Sequence, residues 1–265
     1  MVKKSKTEDE MSFLEHLEAL RWHILRALVG VVVIAIAVFL SGKVLFDYII
    51  FAPTYENFPT YRFLCSISEA ICFNPSGIEI KQYQLGEEFI THLKVSFLLG
   101  VIAAFPYVFY EFWKFIKPGL YQKEVKAARG IVGICSLLFM SGVLFGYFVI
   151  APFAISFLTN YSISDIVSGQ EVTISSYINY MVMFTLPAGL IFELPIVIYF
   201  LAKVGIVDAP FLKKYRKHAL IIILILASII TPPDVMTQIL IGFPLYILFE
   251  ISIVIAGRVN KVEDD

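Results

Sequence analysis

The chain has 265 residues, with 21 Lys+Arg against 22 Asp+Glu; charged residues make up 16% and hydrophobic residues 58%. A soluble domain carries about 25% charged residues, and no soluble fold of this size hides so much apolar surface. The composition excludes disorder, collagen-like repeats and a disulfide-knotted miniprotein, argues against a soluble enzyme, and at a net charge of −1 offers no basic field for nucleic acid. A mean hydropathy of +0.80 predicts an all-α polytopic membrane protein in which residues 1–265 form one integral membrane domain.

Residues 1–23 read as an amphipathic segment on the cytoplasmic side. Phe13, Leu14, Leu17 and Leu20 form one stripe, and Ser12-x-x-Glu15 reads as a capping box that starts a helix at Phe13. Apolar runs then predict six transmembrane helices at about 24–46, 89–109, 131–151, 180–201, 219–230 and 235–256. The fifth run is too short for a hydrocarbon core of ~30 Å, and Thr231-Pro-Pro-Asp234 forces a tight turn into the sixth, so these two read as a short hairpin. The first run is followed by no small-residue cleavage site, so it reads as a retained span rather than a signal peptide.

Seventeen of the 21 basic residues fall in the N-terminal segment, the second and fourth connections and the C-terminal tail, against Lys43, Arg62 and Lys81 in the other connections. The positive-inside rule therefore places both termini in the cytoplasm. The long outer connections, 47–88 and 152–179, read as short helices or caps.

Polar residues within this pattern are the functional candidates. Glu193, in Phe192-Glu193-Leu194-Pro195, and Glu250 lie inside spans, where a carboxylate costs ~2.5 kcal/mol or more. Pro195 withholds its amide from the carbonyl of Ile191, one turn earlier. Glu250 has a helix-end base as its bland partner. Asp234 reads as an N-cap, with Gln238 one turn further on the same face. Glu87 and Glu88 are placed to neutralise His92 and Lys94. In the second connection, Phe112, Trp113 and Phe115 suit a membrane interface, Pro118 ends a helix, and Glu124 is the one acid among five basic residues. Cys65 and Cys72 would be ~10.5 Å apart on one helix, so a disulfide between them requires a turn. Cys135 reads as a packed apolar side chain. No metal or cofactor motif is present, and neither H-E-x-x-H nor G-x-S-x-G occurs.

The ordered set His16-Leu17-Glu18-Ala19-Leu20-Arg21, Trp113-Lys-Phe115-Ile-Lys-Pro118-Gly-Leu120-Tyr-Gln-Lys-Glu124, Phe139-x-x-Gly142, Phe192-Glu193-x-Pro195, Thr231-Pro-Pro-Asp234-x-x-x-Gln238 and Pro244-x-Tyr246-x-x-Phe249-Glu250 resembles the TatC component of the twin-arginine protein translocase. The resemblance covers roughly residues 12–256 and leaves the outer loop at about 54–85 unmatched. It implies a six-helix, glove-like bundle of the inner membrane with a concave face and no enzymatic chemistry. By the same likeness the chain would bind Arg-Arg signal peptides of folded cargo and assemble, as a homo-oligomer within a larger complex, with single-span partners of the TatA and TatB type. The proton gradient would drive transport. Glu124 would take the signal's arginines, with Leu20, Arg21 and Phe115 around it. Glu193, Gln238 and Glu250 would be polar groups of the membrane cavity, and Pro53 would match a loop proline. The family usually has Glu where this chain has Ala19; Glu18 or Glu15 is the expected substitute. The alternative reading is a proton-coupled solute transporter using Glu193 and Glu250.

Overall fold

The computed structural model describes residues 13–67, 72, 79–117, 130–160, 172–230 and 235–263. Helix α1 (Phe13–Leu40) starts at Phe13 and is one unbroken 28-residue helix, so the amphipathic segment and the first span are continuous. The expected end at residue 46 moves to Leu40. Beyond it come α2 (Gly42–Leu45), a π-turn at Phe46–Ile50 and a 3₁₀ turn at Ala52–Thr54. The outer connection continues with α3 (Pro59–Ile67) and β1 (Ile80–Lys81).

Helix α4 (Glu87–Ile116) runs past the expected stop at Phe109, because Tyr110 to Ile116 contain no breaker and the aromatic-belt residues simply extend the helix. Helix α5 (Ile131–Phe145) passes through a second π-turn, Gly146–Ile150, into α6 (Ala151–Asn160). Strand β2 (Val172–Thr173) pairs in parallel with β1, Ile80 opposite Val172 and Lys81 opposite Thr173, a small exception to the all-helical expectation.

The expected single helix 180–201 is two helices, α7 (Ile174–Ile191) and α8 (Leu194–Lys203). The ladder stops because Pro195 has no amide to give Ile191. It restarts from the Glu193 carbonyl, which accepts from the amides of Ile196 at 3.0 Å and Val197 at 3.1 Å. Helix α9 (Ala209–Lys214) is capped by the Asp208 carboxylate, which accepts from the Phe211 amide at 2.7 Å. Helix α10 (Arg216–Ile230) has 15 residues, about 22 Å at ~1.5 Å per residue, and is short as expected. Helix α11 (Val235–Glu263) continues through Pro244.

Among the described residues, five helical stretches are long and apolar enough to cross a membrane: Leu17–Leu40, Glu87–Ile116, Ile131–Thr159, Ile174–Lys203 and Gln238–Arg258. Val29, Val33, Ile36 and Leu40 are exposed along α1, a face that water would not tolerate and lipid would. Small residues set the helix contacts, as expected where hydrocarbon gives no hydrophobic drive. A Cβ on Gly100 would lie 2.7 Å from that of Ala35, bringing α4 against α1. A Cβ on Gly142 would lie 2.6 Å from the Ala188 carbonyl oxygen, so α5 and α7 touch backbone to backbone. Phe105 of α4 stacks on Phe139 of α5 at 3.6 Å between ring centroids.

Consecutive long helices run antiparallel. One end of the bundle therefore gathers the starts of α1, α5 and α10 and the ends of α4, α8 and α11. Arg21, Arg26, Lys114, Lys117, Lys203, Lys213, Lys214, Arg216, Lys217 and Arg258 all belong to that end. The opposite end carries the first outer connection. There Cys65 and Cys72 are disulfide-bonded, their Cα atoms 4.2 Å apart.

Tyrosine and threonine hydroxyls lock the outer connection onto the bundle. Pro53 removes the amide that would serve Ile49, and the Tyr147 hydroxyl donates to the Ile49 carbonyl instead at 2.6 Å. Pro152 likewise strands the Phe148 carbonyl, which accepts from Thr60. Tyr177 donates to the Ile50 carbonyl at 2.7 Å, and buried Tyr61 to that of Pro53 at 2.9 Å. Burial pushes the Tyr61 phenol well above its ordinary pKa. Tyr147→Phe leaves the Ile49 carbonyl without a donor and is expected to destabilise the protein by about 1–3 kcal/mol, read as a lower thermal unfolding midpoint in detergent.

Candidate functional site

The basic end of the bundle holds a cleft between α1 and α4. It has a volume of about 290 Å³ and is lined by Leu20, His23, Ile24, Ala27, Leu28, Val31, Val108, Phe112 and Phe115. Leu20 and Phe115, both singled out in the sequence, are thus brought together. The His23 ring meets Phe115 edge-on at 6.2 Å between centroids. Glu18 and Arg21 are exposed on the turn above. Ala19 is half-buried. The Glu15 side chain, Pro118, Glu124 and Asp234 lie outside the described residues.

Beside the cleft, α1 and α4 are joined by a pair that the sequence reading missed. Glu111 is only 4% exposed, and its Oε2 lies 2.7 Å from Nδ1 of His23. The expected end of the apolar run at Phe109 put Glu111 in the second connection. With α4 continuing to Ile116 it becomes an intrahelical acid facing α1. The available signal was a carboxylate between Tyr110 and Phe112, with a histidine inside the first apolar run.

The three acids and amides expected to share a membrane cavity are instead engaged separately. Glu250 pairs with Arg216, Oε2 to Nη2 at 2.7 Å, and accepts from the Tyr246 hydroxyl at 3.0 Å. Both side chains of that ion pair are partly exposed, 45% and 32%, so the bridge adds little stability. Gln238 donates from Nε2 to the Leu224 carbonyl at 3.1 Å and to Ser228 Oγ at 2.7 Å, tying α11 to α10. Glu193 is half-buried at the α7–α8 break, and neither carboxyl oxygen has a hydrogen-bond partner among the described residues. Its neighbours are the buried thiol of Cys135 and the backbone of Phe139, both on α5.

The outer end corrects a second expectation. Glu87 does not neutralise His92 or Lys94. Its carboxylate accepts from the amides of Tyr83 at 3.1 Å, Gln84 at 3.3 Å and Ser175 at 3.1 Å, joining the turn before α4 to the start of α7. Lys94 donates to Asn179 instead. His92 stacks on Phe39 at 4.1 Å between centroids, its Nε2 buried without a partner among the described residues. Pro53 is buried in the 3₁₀ turn.

The profile of the family described as "Sec-independent protein translocase protein (TatC)" matches residues 15–244. The chain is 41% identical over 261 residues to the Sec-independent protein translocase protein TatC of Blattabacterium sp. subsp. Periplaneta americana, covering 96% of this chain and 98% of that one. It is 32% identical over 248 residues to TatCy of Bacillus subtilis, covering 94% and 89% respectively. Among solved structures it is similar to the crystal structure of the twin arginine translocase receptor TatC, with a TM-score of 0.71 and 30% identity over 93% of this chain and 100% of that one. The transporter alternative gains no support from any of these matches. With the profile spanning most of its length and relatives aligned nearly end to end, the chain belongs to the TatC family, multi-pass membrane components of a Sec-independent protein translocase.

Proposed function

We propose that this chain is the receptor of its translocase, binding Arg-Arg signal peptides of folded proteins on the cytoplasmic side and nucleating an export complex driven by the proton gradient. In this reading all six apolar helices, α10 included, span the inner membrane as a glove-like bundle with both termini in the cytoplasm. Single-span partners of the TatA and TatB type assemble with it, in more than one copy of the chain. The observation that most supports this is the coincidence of basic residues and an apolar cleft at one end of the bundle, with Leu20 and Phe115 lining it. The segregation of positive charge gives that end to the cytoplasm.

An arginine guanidinium presents a planar fork suited to a carboxylate, whereas lysine is a single point charge. Glu124 supplies one carboxylate among basic neighbours, where it serves as an attractive target only for a ligand that out-competes them through such a fork. Arg21, with Glu18 or Glu15, completes the rim from the first turns of α1. By the family likeness Asp234 and Gln238 match the tip of the hairpin between the fifth and sixth apolar runs, and Glu193 is the polar wall of the concavity.

The decisive experiment is site-specific crosslinking of a radiolabelled signal peptide to the protein in membranes, Arg-Arg against Lys-Lys. Glu124→Gln is expected to weaken the Arg-Arg crosslink, by ~2–5 kcal/mol if the ion pair is buried and less at an exposed rim. Unchanged crosslinking would remove Glu124 from the site. For Glu193, replacing an unpartnered carboxyl with an apolar side chain removes a desolvation cost of ~2.5 kcal/mol or more on insertion scales. Glu193→Leu is therefore expected to keep or raise the thermal unfolding midpoint while lowering export of a folded reporter. A fall in the midpoint would mark Glu193 as structural.

A further inference from the structure

We propose that the apolar cavity beneath the outer connection is a phospholipid site, in which one acyl chain fills the cavity and the phosphate pairs with Arg62. The site lies at the opposite end of the bundle from the α1–α4 cleft and does not depend on the receptor reading.

The cavity has a volume of about 460 Å³ and lies between α4, α5 and its π-turn, α7 and the outer connection; Ile49, Phe58, Val95, Ile102, Val143 and Ile178 are among its walls. Its roof is fixed before any ligand arrives. Tyr147 holds the Ile49 carbonyl, Thr60 that of Phe148 and Tyr61 that of Pro53. Phe58 stacks on Phe148 at 5.5 Å between ring centroids. A roof tied in this way resists collapse, and an empty cavity would forfeit dispersion contacts along its whole lining.

Water, a helix and a hydrocarbon chain compete for this space. Water needs two to four polar partners. The Tyr147 hydroxyl is already spent on Ile49, and that of Thr185 on the Met181 carbonyl at 2.7 Å. A transmembrane helix is about 10 Å across, so this volume would take roughly 6 Å of one, about a single turn. A flexible acyl chain is thin enough to enter. It is also at hand, because Leu144 and Phe148 at the cavity are exposed on a membrane-crossing stretch and so meet hydrocarbon.

Arg62 supplies the polar end. It is the one arginine in the outer connections, and its side chain is exposed. Its amide donates to the Phe58 carbonyl at 3.2 Å, which puts it one helical turn from the roof. On the same helix, α3, Phe63 and Ile67 are exposed four residues apart, as on a helix lying at the boundary of headgroups and acyl chains. A guanidinium at that level offers a fork to a phosphate, while the chain below it reaches the cavity.

The test uses the complete translocase in vesicles of phosphatidylglycerol and phosphatidylethanolamine. These carry a trace of phosphatidylglycerol or of diacylglycerol, each with a diazirine in one acyl chain. Photo-crosslinked peptides are located by mass spectrometry, and the exposed α1 face at Val29, Val33 and Ile36 measures ordinary lipid contact. The phospholipid is expected to label the segments around Leu98, Leu144 and Val182 in excess over the α1 face, and diacylglycerol to label them less. Arg62→Gln, at an exposed position, is expected to cut that excess about threefold, to the diacylglycerol level. Val182→Phe, which fills the cavity, is expected to abolish it at an unchanged thermal midpoint. If Val182→Phe does not fold, the Arg62→Gln comparison decides alone. Cavity segments labelled no more than the α1 face, or labelled equally by both lipids with and without Arg62, would overturn the proposal. So would crosslinks from these segments to a partner's transmembrane helix in place of lipid.

Discussion

A proline in a membrane helix leaves a carbonyl with no amide, and hydrocarbon supplies no water to replace it. Two such carbonyls, at Ile49 and Phe148, organise the outer end. Ile49, stranded by Pro53, takes the hydroxyl of Tyr147; Phe148, stranded by Pro152, takes that of Thr60. The donor for each gap comes from the segment that carries the other proline. The outer connection and the α5–α6 junction are therefore mutually required, and Tyr177 adds a third tie from α7 to Ile50. With this end closed by hydrogen bonds, the helices below it pack by close approach at Gly100 and Gly142.

Against that frame the carboxylates divide by what surrounds them. Glu87 is buried and saturated by three backbone amides, a structural role. Glu250 is partly exposed and paired with Arg216. Glu111 is buried and half engaged by His23. Glu193 is left without a hydrogen-bond partner among the described residues, at a helix break opposite Cys135. The buried oxygens of Glu193 carry a desolvation cost, which a purely structural residue has no reason to keep. Glu111 and Glu193 sit on α4 and at the α7–α8 junction, elements that both pack on α5.

Much of this was legible beforehand because hydropathy reports spans directly. Each predicted run is helical, although 180–201 is divided between α7 and α8 and 131–151 passes through a π-turn, and the shortness of α10 followed from counting apolar residues. Boundaries were less legible. Charged and aromatic residues near 110–116 ended the predicted span, yet nothing in their backbone chemistry ends a helix, and α4 continued. Pro195 was read as freeing the Ile191 carbonyl, but not as splitting the run into α7 and α8. Pro106 and Pro244, by contrast, interrupt nothing. A local rule gives each proline the same effect; only the neighbours decide whether the ladder is kept.

By itself the sequence determined the solvent, the helices, the family and the side on which basic residues accumulate, because these depend on composition and on residue order along one chain. The tertiary structure alone decided which acids have partners. Glu87, Glu111, Glu193 and Glu250 are alike as residues in apolar surroundings. Their differences come from what packs opposite: for Glu87 the Ser175 amide beside two local ones, for the others an imidazole, a thiol or an arginine, the distant partners brought from 34 to 88 positions away. Partnership across helices is set by antiparallel packing and close glycine contacts, and no window of sequence contains both sides of it.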